Sequence, residues 1–287
     1  MMPGAREEHG VVQLAALDLR RRPDHRAELT SQLLMGEVVR VLERGRDDQW
    51  WRVENESDGY AGWVRSYGIR PASRSRTRRW LALARGRVIV PYCQVRSARL
   101  GGHSLTPLFW NGRVIAGRAA GGRRRVELPD GRRGWVDAAA VGTGPNRVKL
   151  LDRVRDLLGT PYLWGGRTPH GLDCSGLVQQ LLGEQGVALP RDAHDQYLVT
   201  RRAISPAELG LGDLVFFARG KRRIQHVGLV LGGGYYVHAR GVVRVNSLDP
   251  DNPFCDKPLS AQLRGFGRTK LVGMPGIRRG PKNREPA

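Results

Sequence analysis

The stretch Asp173-Cys174-Ser175-Gly176-Leu177-Val178-Gln179-Gln180-Leu181-Leu182 decides how this chain is read. Leu177, Val178, Leu181 and Leu182 recur at helical spacing, and Asp173 stands where an N-cap belongs, so the pattern predicts a helix with Cys174 in its first turn. Upstream, Val148, Leu151, Val154, Leu157 and Leu158 mark another amphipathic helix, stopped by Gly159. Downstream come three strand-like runs, Asp213–Phe217, His226–Leu231 and Tyr235–His238. Helices first and an antiparallel sheet afterwards predict an α+β domain over residues 147–273.

Residues ahead of it have another texture. Asp58-Gly59-Tyr60-Ala61-Gly62-Trp63-Val64 recurs as Asp130-Gly131-Arg132-Arg133-Gly134-Trp135-Val136. Each copy follows an apolar run, Val38–Leu42 in the first and Val88–Val90 in the second. Each Asp-Gly predicts a hairpin turn, and each following strand is expected to bury its indole. The repeat resembles the bacterial SH3 domain, a small β-barrel of cell-wall enzymes. The expected organisation is therefore two SH3-like β-barrels (1–72 and 80–142), the α+β domain (147–273) and a disordered basic tail (274–287). Ser73–Arg79 and Gly142–Asn146 read as linkers.

The chain of 287 residues has a formal net charge of +21, carried by 43 arginines and only five lysines. Residues 1–72 hold 11 arginines against 12 acids, whereas residues 73–146 hold 15 against three. The excess is thus an arginine-rich composition with one basic module, and no nucleic-acid partner is expected. No run of sequence is long and apolar enough to cross a bilayer as a helix. Met1–Leu19 lacks the pattern of a secretory signal, and three widely spaced cysteines do not form a disulfide framework. Together these lead to an expected cytoplasmic location without membrane attachment.

A cysteine at a helix start feels unpaired backbone N–H groups and the positive end of the helix dipole, which favour thiolate. Position alone fits a nucleophile or a structural thiol; a base nearby decides. Pairing Leu231 with Tyr235 across Gly232-Gly233-Gly234 sets Gly228 opposite His238. His226 and His238 then lie diagonally on one face. His226 would take the thiol proton and His238 would fix its tautomer. A lone strand histidine is ordinarily a hydrogen-bonded polar residue, but two beside a helix-start cysteine suit catalysis. The same trio would also ligate zinc, although no pair has the close spacing of structural sites, and no metal or other cofactor is expected.

Six motifs now fall in order: Tyr162-Leu163-Trp164-Gly165-Gly166, Asp173–Gly176, Leu189–Asp192, Gly212–Phe217, His226–Gly228 and Tyr236–His238. Together they resemble the NlpC/p60-type cysteine peptidases, which have a papain-like α+β fold and cleave peptide stems of peptidoglycan. The resemblance implies Cys174 as nucleophile, His226 as general base, His238 as orienting residue and Tyr162 as a hydroxyl near the oxyanion.

SH3 domains ahead of such a domain look like the γ-D-glutamyl-L-diamino acid endopeptidases that accept free muropeptides. That likeness implies acidic and hydroxyl groups around the ammonium of an N-terminal L-alanine. By position these are Asp173, Ser175 and Asp192, with Tyr60 and Glu37 from the first SH3-like domain. The second repeat has Arg132 in place of Tyr60, the divergence expected if only the first copy meets substrate. Asp173 also suits a helix cap, Asp192 a turn, and Glu37 a solvated hairpin. The expected activity is cleavage of L-Ala-γ-D-Glu-diamino acid peptides in muropeptide recycling. The alternatives are a secreted hydrolase of intact wall and a non-catalytic module binding wall or polyanion.

Overall fold

The computed structural model of the chain describes residues 8–144, 149–220 and 223–271. Two compact units emerge, Met1–Lys149 with Leu163–Leu172, and Leu150–Tyr162 with Asp173–Ala287. The expected tail, 274–287, lies outside the described residues, as do Asn146 of the second expected linker and Val148.

The first unit is built of two seven-stranded antiparallel sheets. The first uses β1 (His9–Val12), β2 (Ala16–Arg20), β3 (Leu29–Leu34), β4 (Val38–Arg44), β5 (Trp50–Asn55), β6 (Ala61–Arg65) and β7 (Ile69–Ala72). The second uses β8 (Gly86–Val88), β9 (Tyr92–Arg96), β10 (Ser104–Phe109), β11 (Arg113–Ala120), β12 (Arg123–Glu127), β13 (Arg133–Asp137) and β14 (Val141–Gly142). Their strand orders, β3-β2-β6-β5-β4-β1-β7 and β10-β9-β13-β12-β11-β8-β14, are the same order displaced by one module. The sequence repeat is therefore a repeat of topology. In each turn the aspartate accepts from the backbone N–H two residues on, Tyr60 to Asp58 at 3.0 Å and Arg132 to Asp130 at 2.9 Å.

Three details depart from the sequence reading. Trp63 and Trp135 are only half-buried, while Val64 and Val136 are fully buried, because alternate residues of β6 and β13 face opposite sides of the pleat. Strand order pairs β4 with β11, so Val38–Leu42 corresponds to residues after Gly112 rather than to Val88–Val90. The expected linker Ser73–Arg79 is mostly helix: Ser73 caps α1 (Arg74–Leu83), accepting from Arg76 N. Trp80 anchors that helix by donating to Gly36 O at 2.9 Å.

Met35-Gly36-Glu37, between β3 and β4, is a junction within this unit. Met35 is fully buried among Val88, Leu108, Val114 and Val141 of the second sheet's core. Gly36 has φ +82°, and a Cβ there would stand 2.4 Å from Arg113 O, so no larger residue fits. Leu163–Leu172 packs here, with β15 (Arg167–Thr168) against β3 and paired to β16 (Gly171–Leu172).

The second unit contains α2 (Leu150–Leu157), α3 (Cys174–Glu184), α4 (Ala193–Thr200) and α5 (Lys257–Ser260). Its strands are β17 (Arg201–Arg202), β18 (Leu214–Phe217), β19 (His226–Gly232), β20 (Tyr235–Arg240), β21 (Val242–Ser247) and β22 (Leu263–Gly267). They form one antiparallel sheet in the order β17-β22-β18-β19-β20-β21, and α3 packs on β19 and β20. Leu177, Val178, Leu181 and Leu182 are completely buried in that helix. On α2, Leu150, Val154 and Leu157 are buried beside Arg153, whose guanidinium donates twice to Glu184 of α3, at 3.0 and 2.8 Å. Both side chains of that pair are at most 1% exposed.

Candidate active site

Cys174 is the first residue of α3, and Asp173 is its N-cap, accepting from Gly176 N at 2.6 Å. Asp173 has a second duty. Buried Arg191 donates to Asp173 Oδ1 at 3.0 Å, to Asp173 Oδ2 at 2.5 Å and to Ser175 Oγ at 2.9 Å. A fork-shaped guanidinium on a carboxylate fixes orientation as well as charge, so the helix start is clamped from below the cysteine.

The sulfur of Cys174 sits against the backbone of β19, 4.0 Å from Gln225 O. Burial, then the Asp173 carboxylate, push its thiol up to about 12, although the backbone N–H groups of Val227 and Ser175 favour thiolate. The sequence argument that a helix start favours thiolate is outweighed here by desolvation. Cys174 rests as a neutral thiol and needs a base to become a nucleophile.

The histidines supply one. The β19–β20 register pairs Leu229 with Val237 and Val230 with Tyr236, which sets Gly228 opposite His238 as the sequence spacing predicts. The turn itself is shorter than expected. Gly233 and Gly234, at φ +63° and +86°, form a two-residue turn, and the register shifts between Val230 and Gly232. His226 and His238 then meet, Nε2 to Nδ1, at 2.7 Å.

A third residue sets the direction of the protons. Asn246 of β21 donates from Nδ2 to Phe254 O at 2.5 Å, which turns its Oδ1 towards His238 Nε2, 2.7 Å away. An amide oxygen only accepts, so His238 carries its proton on Nε2. His238 Nδ1 must then accept, and His226 donates to it from Nε2. The lone pair of neutral His226 is left on Nδ1, the free acceptor a thiol requires. Burial, then the neighbouring His238, bring His226 down to about 3, and burial brings His238 down to about 4. Both rings are therefore neutral at physiological pH.

Tyr162 is half-buried, tied by its backbone N–H to Gly241 O at 2.8 Å. Burial, then the Cys174 and Asp173 charges, raise its hydroxyl well above the usual phenol range, so it is a donor and not a phenolate. Beside Tyr162 and His226 opens a cavity of about 370 Å³, whose wall includes Arg219, Gln225, Arg240 and Gln262. No set of three potential metal ligands converges among the described residues.

A neutral buried thiol at a helix start, with a tautomer-fixed histidine pair on the adjoining strand, is the equipment of a thiol hydrolase. Comparison with known proteins agrees. The NlpC/P60 family pattern matches residues 159–264, and the bacterial dipeptidyl-peptidase SH3 domain matches residues 19–69. The chain carries an NlpC/P60 domain, a cysteine-peptidase domain, together with a bacterial dipeptidyl-peptidase SH3 domain. Among relatives, a "gamma-D-glutamyl-L-lysine dipeptidyl-peptidase" of Bacillus subtilis strain 168 is 27% identical, over 74% of this chain and 72% of its own. Its counterpart from Bacillus cereus is 26% identical, over 78% and 71%. A crystal structure of an NlpC/P60 family protein from Bacillus cereus shares the fold, with a TM-score of 0.76 at 20% identity, covering 91% of this chain and 99% of that one.

The NlpC/P60 match includes the short segment that packs with the first unit. There Arg167 donates to both carboxylate oxygens of Glu37, at 2.9 and 3.2 Å, and its backbone N–H donates to Gln32 Oε1 at 3.0 Å. Glu37 Oε2 also accepts from Leu34 N at 2.9 Å. Glu37 is thus a structural partner of Arg167, not a solvated hairpin residue. Asp173 and Ser175 are similarly occupied by Arg191. Asp192 is the exposed N-cap position of α4, without a side-chain cap bond, and Tyr60 packs half-buried on the first sheet's core. His170 stacks edge-on with Phe109 at 4.9 Å.

Sequence reasoning missed Arg191, Arg167 and Asn246. Arg191 stood inside the quoted Leu-Pro-Arg-Asp motif, and its signal was an arginine beside an apolar turn that also carries Asp192. Asn246 had none, because it lies eight residues from His238 in an ordinary strand, Val-Val-Arg-Val-Asn-Ser.

Proposed function

We propose that this peptidase hydrolyses the γ-D-glutamyl–diamino acid bond of free peptides that begin with L-alanine, as in muropeptide recycling. The observation that carries the chemistry is the His226–His238–Asn246 relay, which leaves the lone pair on His226 Nδ1, with His226 next in sequence to Gln225, whose carbonyl oxygen lies 4.0 Å from the Cys174 sulfur. The relatives named for γ-D-glutamyl-L-lysine support the bond, since they align over more than two thirds of their own length.

In this reading His226 Nδ1 takes the Cys174 proton as sulfur attacks the γ-glutamyl carbonyl carbon. The oxyanion is met by the Tyr162 hydroxyl and backbone N–H groups at the start of α3. On collapse, the C–N bond breaks and His226 returns the proton to the leaving amine. Water then attacks the thioester, giving its proton to His226. The acid departs and the thiol is restored. His238 and Asn246 are positioning residues that hold the tautomer. Recognition of the free amine is assigned to the acidic and hydroxyl side chains of the catalytic domain that the resemblance implies, Asp173, Ser175 and Asp192. Arg191 holds Asp173 and Ser175 in place. The shared strand order supports reading residues 80–142 as a second SH3-like module, and the helices on one antiparallel sheet support a papain-like layout. A cytoplasmic site of action belongs to the same proposal.

The test is incubation with L-Ala-γ-D-Glu-meso-diaminopimelate, its N-acetylated form and intact sacculi, with Cys174→Ala as control. Cleavage of the free-amine peptide alone is expected. Equal cleavage of the acetylated peptide would overturn amine recognition, and release of fragments from sacculi would favour a wall hydrolase.

A further inference from the structure

The cavity beside His226 is lined by Tyr162 and His226, which the mechanism above uses, and by further residues to which it gives no role. Its polar lining is cationic or neutral: Arg219, Arg240, Gln225, Gln262 and the Tyr162 hydroxyl, with no carboxylate among its lining residues. Arg240 is paired with Asp256, but Arg244 shares that same carboxylate, so two guanidinium groups face one acid behind the cavity wall. Arg219 is exposed and, among the described residues, in no ion pair. The cavity therefore presents net positive charge to whatever enters.

Its location says which part of a substrate that is. The residue that protonates the leaving amine must face it, so the diamino acid lies on the His226 side of the sulfur. The cavity is bounded by Gln225 just before β19 and His226 at its start, by Ala239 and Arg240 at the end of β20, and by Gly241 just after it. Lysine would bring an ammonium into this arginine-lined space. Diaminopimelate would bring a carbon bearing both an ammonium and a carboxylate. The carboxylate suits the guanidinium groups, and Gln262, which donates to Pro258 O at 2.8 Å, keeps its Oε1 as an acceptor for the ammonium.

Resting on the peptidase reading above, we propose that this cavity binds the side-chain carboxylate of the diamino acid. The enzyme is then selective for diaminopimelate over lysine at the residue that leaves. Arg219 and Arg240 are the specificity-determining residues. This is the opposite of the lysine in the names of the two Bacillus relatives.

The experiment compares kcat/KM on L-Ala-γ-D-Glu-meso-diaminopimelate, on the same peptide amidated at the side-chain carboxyl, and on L-Ala-γ-D-Glu-L-Lys. The wild type should favour the first by roughly tenfold or more over each of the others, since like charges across a contact are strongly disfavoured. Arg219→Ala and Arg240→Ala should erase the preference through KM, Arg219→Lys should keep it, and Arg219→Glu should turn it towards the lysine peptide. Because Arg219 is exposed, its variants test the idea even if Arg240→Ala fails to fold. A wild type that cleaves the diaminopimelate and lysine peptides equally overturns the cavity assignment and leaves the peptidase reading standing. A preference untouched by the Arg219 variants does the same. The alternative is that the cavity takes the α-carboxylate of the D-glutamyl residue. In that case Arg219→Ala would depress all three peptides alike, which also overturns the assignment. No cleavage of any peptide overturns both.

Discussion

Asn246 Oδ1 lies 2.7 Å from His238 Nε2, and through that contact a side chain on β21 determines which nitrogen of His226, two strands away, is basic. Reversing the Asn246 amide would put a donor against a donor and lose the order of the whole chain. Phe254 O, which accepts from Asn246 Nδ2, prevents the reversal.

Asn246→Ala should therefore lower kcat on the order of tenfold to a hundredfold with little change in KM, because a wrong tautomer damages chemistry and not binding. Steady-state kinetics on the free-amine peptide check it. Asn246→Gln, which keeps an amide but displaces it, should fall between. A change confined to KM, or a loss matched by lost folded fraction, would remove the positioning role.

The two histidines also predict the direction of acid sensitivity. Each has its folded value depressed, from 6.5 to about 3 for His226 and about 4 for His238. Between pH 6.5 and about 3 the unfolded chain therefore binds protons that the folded chain refuses. Their contribution to stability is fully present above pH 6.5 and is lost as pH falls through that window. Urea melts between pH 7 and 4.5 should show a decline in the wild type that is shallower in His238→Phe. An identical slope in the two proteins would contradict the assignment.

Alkylation tests the state of the thiol. With Cys174 pushed up to about 12, its reaction with iodoacetamide should rise steadily with pH from 7 to 9, without a plateau. Cys93, raised to about 11, is separated from it by mass spectrometry of the labelled peptides and by Cys174→Ala. A plateau near neutrality would instead indicate a thiolate–imidazolium pair already formed in the free enzyme.

The Arg153–Glu184 pair makes a separate prediction about folding. Glu184→Gln takes away the buried counter-charge of Arg153, leaves it only the half-exposed Asp156 at 2.9 Å, and should cost about 3 kcal/mol. Replacing both with Met and Leu should recover most of that loss. Chemical denaturation of the two variants gives the comparison.

Much of this molecule is legible in its sequence, for reasons that are local. Asp58-Gly59 and Asp130-Gly131 make their turns from their own side chains, Asp173 caps α3 within three residues, and the His226–His238 pairing follows from a short hairpin. What escaped depends on distant partners. Ser73–Arg79 looks like a linker until Trp80 is seen to hold Gly36 O. Glu37 looks solvated until Arg167, far along the chain, reaches it. The expected burial of Trp63 and Trp135 failed because an indole's size was weighed ahead of the strand's alternation, which turns Val64 and Val136 inward.

Met35 has a consequence for how such a protein can be altered. A methionine from the first β-sheet module completes the interior of the second, and its neighbours Gly36 and Glu37 hold α1 and Arg167. Cutting the chain after residue 72 would deprive the second module of a core residue and leave a hole that water cannot fill favourably. The two modules repeat each other in topology yet are not interchangeable beads. Loss or exchange of the first would have to be accompanied by repair of the second, so recombination is constrained to move the pair together.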